Sequence, residues 1–170
     1  MIYMKYSIPA NGMSRRGLDV KLLLAADKSI YSRAALDSIL ACPWPPGTEF
    51  LVLSVAESYH PRTDYWNPRS RELLVEHETR VHAEHEELAR SFARQLEERF
   101  PGSTAQAMVV EGHVVDKILE VADNWGAELI VVGSHGLKGF SRFLLGSVSE
   151  AVASHAKASV RVIRLPAGSN

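Results

Sequence analysis

AELIVVGSHGLKGFSRFLLGS, residues 127–147, joins a short apolar run to a glycine-punctuated loop that ends where a helix can begin. The run AELIVV, residues 127–132, reads as a buried strand. Gly133 and Gly136 follow it at once, and Gly146 stands directly before Ser147. Backbone N–H groups at a helix N-terminus lack intrahelical partners and carry the positive end of the helix dipole, so they attract anions. A phosphate can come that close only where side chains are absent. Gly133, Gly136 and Gly146 would supply that space and tolerate positive φ. Ser147 and Ser149 would add hydroxyl donors in the first turn, and Lys138 and Arg142 would add positive charge. The stretch is therefore read as a phosphate cradle. Glycines after a strand also make plain tight turns, so chemistry alone leaves that alternative open. Two other phosphate signatures are absent: no window fits GxxxxGK[ST], and there is no GxG.

Outward from this stretch, apolar runs alternate with helical patterns. Residues 19–26 (DVKLLLAA), 49–56 (EFLVLSVA), 104–110 (TAQAMVV) and 159–164 (SVRVIR) read as further strands. Residues 30–41 form a helix with Ser29 as N-cap and an apolar face of Ile30, Ala34, Leu36 and Leu40, stopped by CPWPPG. Residues 70–100 form a long helix with Leu74, Val81, Leu88, Phe92 and Leu96 on one stripe. Residues 113–125 carry Val114, Ile118, Val121 and Ala122 on one face, and residues 147–156 start the last helix. The order β-α-β-α-β-α-β-α-β with apolar strands predicts an α/β fold, a doubly wound parallel sheet covered on both faces. Ligands of such sheets bind beyond the strand carboxyl ends, where strand order reverses. Asp27 and Gly133 both fall at such ends.

The chain has 170 residues, 46% hydrophobic and 23% charged, with a net charge of −1. This suits one domain, residues 18–166, between a lead-in over 1–17 and a tail over 167–170. The near-neutral balance points to neither nucleic acid nor an anionic membrane as partner. No apolar run has transmembrane length, and the first residues lack the pattern of a secretory signal. The single cysteine, Cys42, suits a reducing compartment, and the cytoplasm is the expected location.

The spacing Gly133, two residues, Gly136, nine residues, Gly146-Ser147 resembles the G-x2-G-x9-G-[ST] motif of the ATP-binding branch of the universal stress protein family. VVGSHG and FLLGSVSEAVASHA look like the final third of that family, and LLLAADKSIYSRAAL looks like its opening strand and helix. The resemblance covers about residues 19 to 165. It implies a five-stranded parallel sheet of order 3-2-1-4-5, a fold like that of the adenine nucleotide alpha hydrolases. It implies that Asp27, with Ala25 and Ala26 alongside, binds the ribose or adenine side of ATP. Val55 would recognise adenine through its backbone, and Val132 would line the pocket. Gly133, Gly136, Gly146, Ser147, Val148 and Ser149 would hold the phosphates, with Mg²⁺ as a possible companion. It also implies a homodimer through the last strand, and a regulatory role in stress response through a protein partner. Lys28 departs from the glycine common after the aspartate, and HAKASVRVIR lacks the usual proline.

His77 and His82 point about 140° apart on a helix, so His77, His82 and His85 cannot converge on one ion. The face they share with Glu76, Glu78, Glu84, Glu86 and Glu87 reads as solvated, with Glu86–Arg90 as an ion pair. No metal site is expected. Ser134 and His135 are adjacent and expected to point apart, which leaves no serine hydrolase dyad. Cys42 has no evident activating group. No catalytic residue is expected, although slow ATP hydrolysis remains open. Tyr65 or Trp66 could cover the pocket from the loop HPRTDYWNPRS. AADKSIYS stands where ATP pyrophosphatases carry SGGxDS, which disfavours that enzyme class. The alternatives to ATP are AMP, a cyclic nucleotide, or a nucleotide-independent interaction module.

Overall fold

The computed structural model describes residues 20–57, 68–136 and 145–165. The expected lead-in, the tail, Lys138, Arg142, Tyr65 and Trp66 lie outside them. The elements run β1 (Lys21–Ala25), α1 (Ile30–Leu40), β2 (Glu49–Ala56), α2 (Pro68–Arg99), β3 (Thr104–Glu111), α3 (Val114–Trp125), β4 (Leu129–Gly133), α4 (Ser147–His155) and β5 (Ser159–Ile163). The sequence-based bounds agree to within two residues. The strands pair in parallel in the order β3-β2-β1-β4-β5.

The apolar runs are continuous because helices cover both faces of the sheet, and successive side chains go to opposite faces. Leu22, Leu24, Phe50, Val52 and Val131 pack with Leu36 and Ile39 of α1 and Phe92 and Leu96 of α2. Leu23, Leu51, Leu53, Ile130 and Val132 pack with Ile118 and Ala122 of α3 and Val152 of α4. From β1 the chain steps outward to β2 and β3, then returns to the other side of β1 for β4 and β5. The reversal falls between β1 and β4, and their carboxyl ends flank it.

The buried face of α1 agrees with the expected one in part: Leu36 is buried and Leu40 packs against the core, but the first turn differs. Ile30 is 60% exposed, whereas Ser32, Ala35, Leu36 and Ile39 are buried. The cap sets this phase. Ser29 is the N-cap as expected, and the hydroxyl of Ser32 is drawn inward to Asp27, which turns Ile30 to the surface. On α2 the buried residues Ala89, Phe92, Ala93 and Leu96 seat the C-terminal half on the sheet, and Glu86 pairs with Arg90 at 2.6 Å as expected.

Candidate functional site

A cavity of about 610 Å³ opens at the carboxyl ends of β1, β2 and β4. That volume suits a small organic ligand. The turn after β1 contributes Ala25, Ala26 and Asp27, and β2 contributes Val55. Val132, Gly133 and Gly136 reach it from β4 and beyond, and Gly146, Ser147, Val148 and Ser149 from the start of α4. The described residues expected to bind nucleotide, from Ala25 to Ser149, thus all line one cavity, brought together by the strand reversal, whereas Lys138, Arg142, Tyr65 and Trp66 lie outside the described residues.

Asp27 is held by its own turn. Its Oδ1 accepts from Ser29 N at 3.0 Å, Ser29 Oγ at 2.5 Å and Ser32 Oγ at 2.6 Å. Its backbone N–H in turn donates to Ser32 Oγ at 2.9 Å. Both hydroxyl protons go to the same carboxylate oxygen, which leaves Oδ2 to face the cavity beside Gly136. A Cβ on Gly136 would lie 2.9 Å from that Oδ2. The signal for this clamp was D-x-S-x-x-S, a carboxylate followed by two hydroxyls at capping distance.

The glycines serve close approach, not unusual backbone. Positive φ occurs at Gly47, Gly102, Gly112 and Gly126, and at none of Gly133, Gly136 and Gly146. A Cβ on Gly133 would meet Tyr31 Cβ at 2.7 Å, and one on Gly146 would meet the Ser134 carbonyl at 3.0 Å. The two ends of the loop are stapled together. Ser134 O accepts from Gly146 N at 2.8 Å and from Ser149 Oγ at 2.9 Å. Ser149 Oγ also lies 2.9 Å from Gly146 O, and the residue is 2% exposed. Its hydroxyl is therefore spent on carbonyls and is not the free donor expected from sequence. Gly146 caps α4 without a side chain, and among the described residues the first-turn amides of Ser147, Val148 and Ser149 have no hydrogen-bond partner, an arrangement that suits an anion.

His85 also lines the cavity, which sequence reasoning missed. Its Nδ1 lies 2.8 Å from the buried Ser54 Oγ, and Ser54 Oγ donates to Ala26 O at 2.9 Å. Burial pushes the imidazole below its ordinary value, and the nearby Lys28 ammonium pushes the same way. Lys28 pairs with Glu84, tying α2 to the turn after β1, and that pairing lowers the Glu84 carboxyl. The available signal was spacing: position 85 lies four after Val81 and seven before Phe92, on the apolar stripe itself.

Ser134 and His135 do touch, against expectation: Ser134 Oγ lies 3.1 Å from His135 Nδ1. Ser134 is 1% exposed, so the pair offers no accessible nucleophile. His135 lines the cavity, with its ring 5.1 Å from that of Tyr31. Cys42 has a neighbour that sequence did not show, since Arg161 Nη1 lies 3.6 Å from its Sγ. Among the described residues no helix is long and apolar enough to cross a membrane.

The model of the universal stress protein family matches residues 20–164. Universal stress protein Sll1388 of Synechocystis sp. is 27% identical over 154 residues, covering 85% of this chain and 97% of that protein. Among solved structures, hypothetical protein MJ0577 superposes with a TM-score of 0.75 at 23% identity, over 89% of this chain and 100% of the other. A universal stress protein family protein from Arabidopsis thaliana with AMP bound gives 0.59 at 20% identity, over 88% of this chain and 94% of that one. A universal stress protein in complex with cAMP gives 0.55 at 20% identity, over 85% and 96%. At these identities the superpositions establish the fold.

Proposed function

Because this chain belongs to the universal stress protein family, we propose that its cavity binds an adenine nucleotide, ATP foremost, and that occupancy regulates a homodimer. One observation carries the reading: a clamped carboxylate, Asp27, and the uncapped N-terminus of α4 share one cavity, with Gly136 between them. Asp27 Oδ2 suits a sugar hydroxyl, and the amides of Ser147, Val148 and Ser149 suit phosphate oxygens. Ala25, Ala26, Val55 and Val132 supply the apolar wall for the base, while Gly133, Gly136 and Gly146 leave room for the phosphates. The intact G-x2-G-x9-G-[ST] spacing supports ATP, with Mg²⁺ balancing charge in solution.

The regulatory route runs through Ser134. Its N–H donates to Ile163 O at 2.7 Å, so the glycine loop and β5 share a hydrogen bond. Occupancy of the loop thereby biases the edge strand through which the dimer forms, and with it the surface offered to a partner protein in stress response. The cytoplasm is the compartment that a lone Cys42 suits.

The experiment is thermal unfolding of nucleotide-stripped protein with ATP, AMP, cyclic AMP or no ligand, each with and without Mg²⁺. Ligand at a hundred times its dissociation constant stabilises by about 2.7 kcal/mol. At roughly 2–4 °C per kcal/mol that is a shift of several degrees. The largest shift with ATP supports the reading, and a phosphate-release assay then separates a binding module from a slow ATPase. A larger shift with AMP or cyclic AMP favours the second reading, which the ligands of the two fold relatives support. No shift with any nucleotide leaves a nucleotide-independent interaction module.

A further inference from the structure

Ser54 has one hydroxyl proton and two polar neighbours. Its Oγ lies 2.9 Å from the carbonyl oxygen of Ala26 and 2.8 Å from Nδ1 of His85. A carbonyl oxygen only accepts, so the proton goes to Ala26. For the second contact to be a hydrogen bond, His85 must donate, which places its hydrogen on Nδ1. In the neutral ring Nε2 then carries a bare lone pair. Ser54 is fully buried in β2, so the core fixes this tautomer. Among the described residues the one hydrogen bond of the His85 ring is at Nδ1. Burial and the Lys28 ammonium hold the ring neutral, which keeps the lone pair available.

We propose that His85 is a specificity-determining residue of the cavity, accepting through Nε2 a hydrogen bond from the nucleoside half of the ligand. This rests on the nucleotide reading above. Its place follows from topology. His85 stands over β2, next to Ala26 and Val55, whereas the open amides of α4 lie on the far side of β1, beyond β4. A ligand with its phosphates on α4 brings its sugar or base to His85. The donors there are the sugar hydroxyls and the exocyclic amine of adenine. Where the amine is the partner, a 6-oxo purine sets an acceptor against an acceptor and is rejected. The bond to buried Ser54 orients the ring, and the exposed Lys28–Glu84 pair adds a contact between the adjoining turn of α2 and the turn after β1.

Calorimetric titration tests this with ATP, 2′-deoxy-ATP, 3′-deoxy-ATP, purine riboside triphosphate (which lacks the amine) and inosine triphosphate. The wild type is expected to bind at least one analogue more weakly by about two- to twelvefold, the net worth of a neutral hydrogen bond. His85→Phe, which keeps the ring volume, is expected to weaken ATP by a similar factor and to bind that analogue as well as ATP. Ser54→Ala frees the tautomer and is expected to blunt the same discrimination. Equal loss for all ligands with discrimination intact would mean a structural role and overturn the inference. So would unchanged affinities in His85→Phe, or a wild type blind to every analogue, while the nucleotide reading stood. A wild type that binds none of these ligands overturns both.

Discussion

Gly136 stands against Asp27 so closely that a Cβ on the glycine would lie 2.9 Å from Asp27 Oδ2. The carboxylate cannot swing away cheaply, because Ser29 and Ser32 hold its other oxygen. The close approach is therefore made between the loop after β4 and the turn after β1, across the strand reversal. Gly133 shows a different need. Its missing Cβ leaves room for Tyr31, whose Cβ and carbonyl carbon would lie at 2.7 and 2.8 Å.

Gly136→Ala and Gly133→Ala are expected to fail in different ways. At Gly133 the new methyl meets the backbone of α1, and overpacking of this kind costs about 1–3 kcal/mol of stability. At Gly136 the methyl meets one side chain at the cavity, so stability is largely kept while ATP affinity drops roughly tenfold, or about 1.4 kcal/mol. Urea unfolding and calorimetric titration of both variants check this. Full ATP affinity in Gly136→Ala would remove Asp27 from the site.

Ser29→Ala removes the N-cap of α1 and a hydroxyl donor to Asp27 together. The lost cap bond, 3.2 Å from Ser29 Oγ to Ser32 N, is of a kind worth about 1 kcal/mol. The urea midpoint is expected to fall with an unchanged slope. Ligand affinity should fall as well, since the carboxylate is less firmly aimed. A stability loss with affinity intact would confine Ser29 to capping.

The pH dependence of stability follows from His85. The ordinary imidazole value, 6.5, applies to the unfolded chain, and burial holds the folded value lower. Between the two the unfolded state binds more protons, so stability rises with pH through that window and is fully present above 6.5. The neighbours partly offset one another: Lys28 and His82 push the folded value down, whereas Glu84 and Asp27 push it up. The thermal midpoint of the wild type is expected to fall between about pH 7 and about pH 5 by more than that of His85→Phe. Lys28→Ala removes one lowering charge and should flatten the difference. Superimposable wild-type and His85→Phe profiles would mean that His85 is not held neutral by the fold.

The sheet was legible because helices cover both of its faces, so Leu22–Leu24 and Phe50–Leu53 stand out as apolar runs with no tertiary knowledge. The lining of the cavity was legible at Asp27 and the glycines because its signals are local: a strand end, a turn, a helix start. His85 was hidden because its role depends on α2 lying over Ser54, thirty-one positions away in the chain. The burial of the Ser149 hydroxyl was hidden for the same reason, being set by the Ser134 carbonyl fifteen positions earlier, just after β4. Only the first turn of α1 was misread: hydrophobicity favoured Ile30, whereas the Ser32 hydroxyl turns inward to Asp27.

The proposed dimer can be tested through the hydrogen-bond pattern of β5. In a strand, the N–H and C=O of one residue point to the same side, and neighbours alternate. Ser159 N donates to Glu128 O at 3.0 Å, and Ile163 O accepts from Ser134 N at 2.7 Å, so the groups of Ser159, Arg161 and Ile163 face β4. Those of Val160 and Val162 face outward from the sheet edge, where no described strand pairs with them and a second copy of β5 could. Proline at an outward position removes a donor from the edge without breaking the ladder to β4. Val160→Pro is therefore expected to convert a dimer to a monomer in light scattering while keeping the far-UV spectrum and a cooperative melt. A Val160→Pro protein that stays dimeric places the interface elsewhere. A wild type that runs as a monomer at every concentration, with and without ATP, ends the proposal that occupancy is read out through β5.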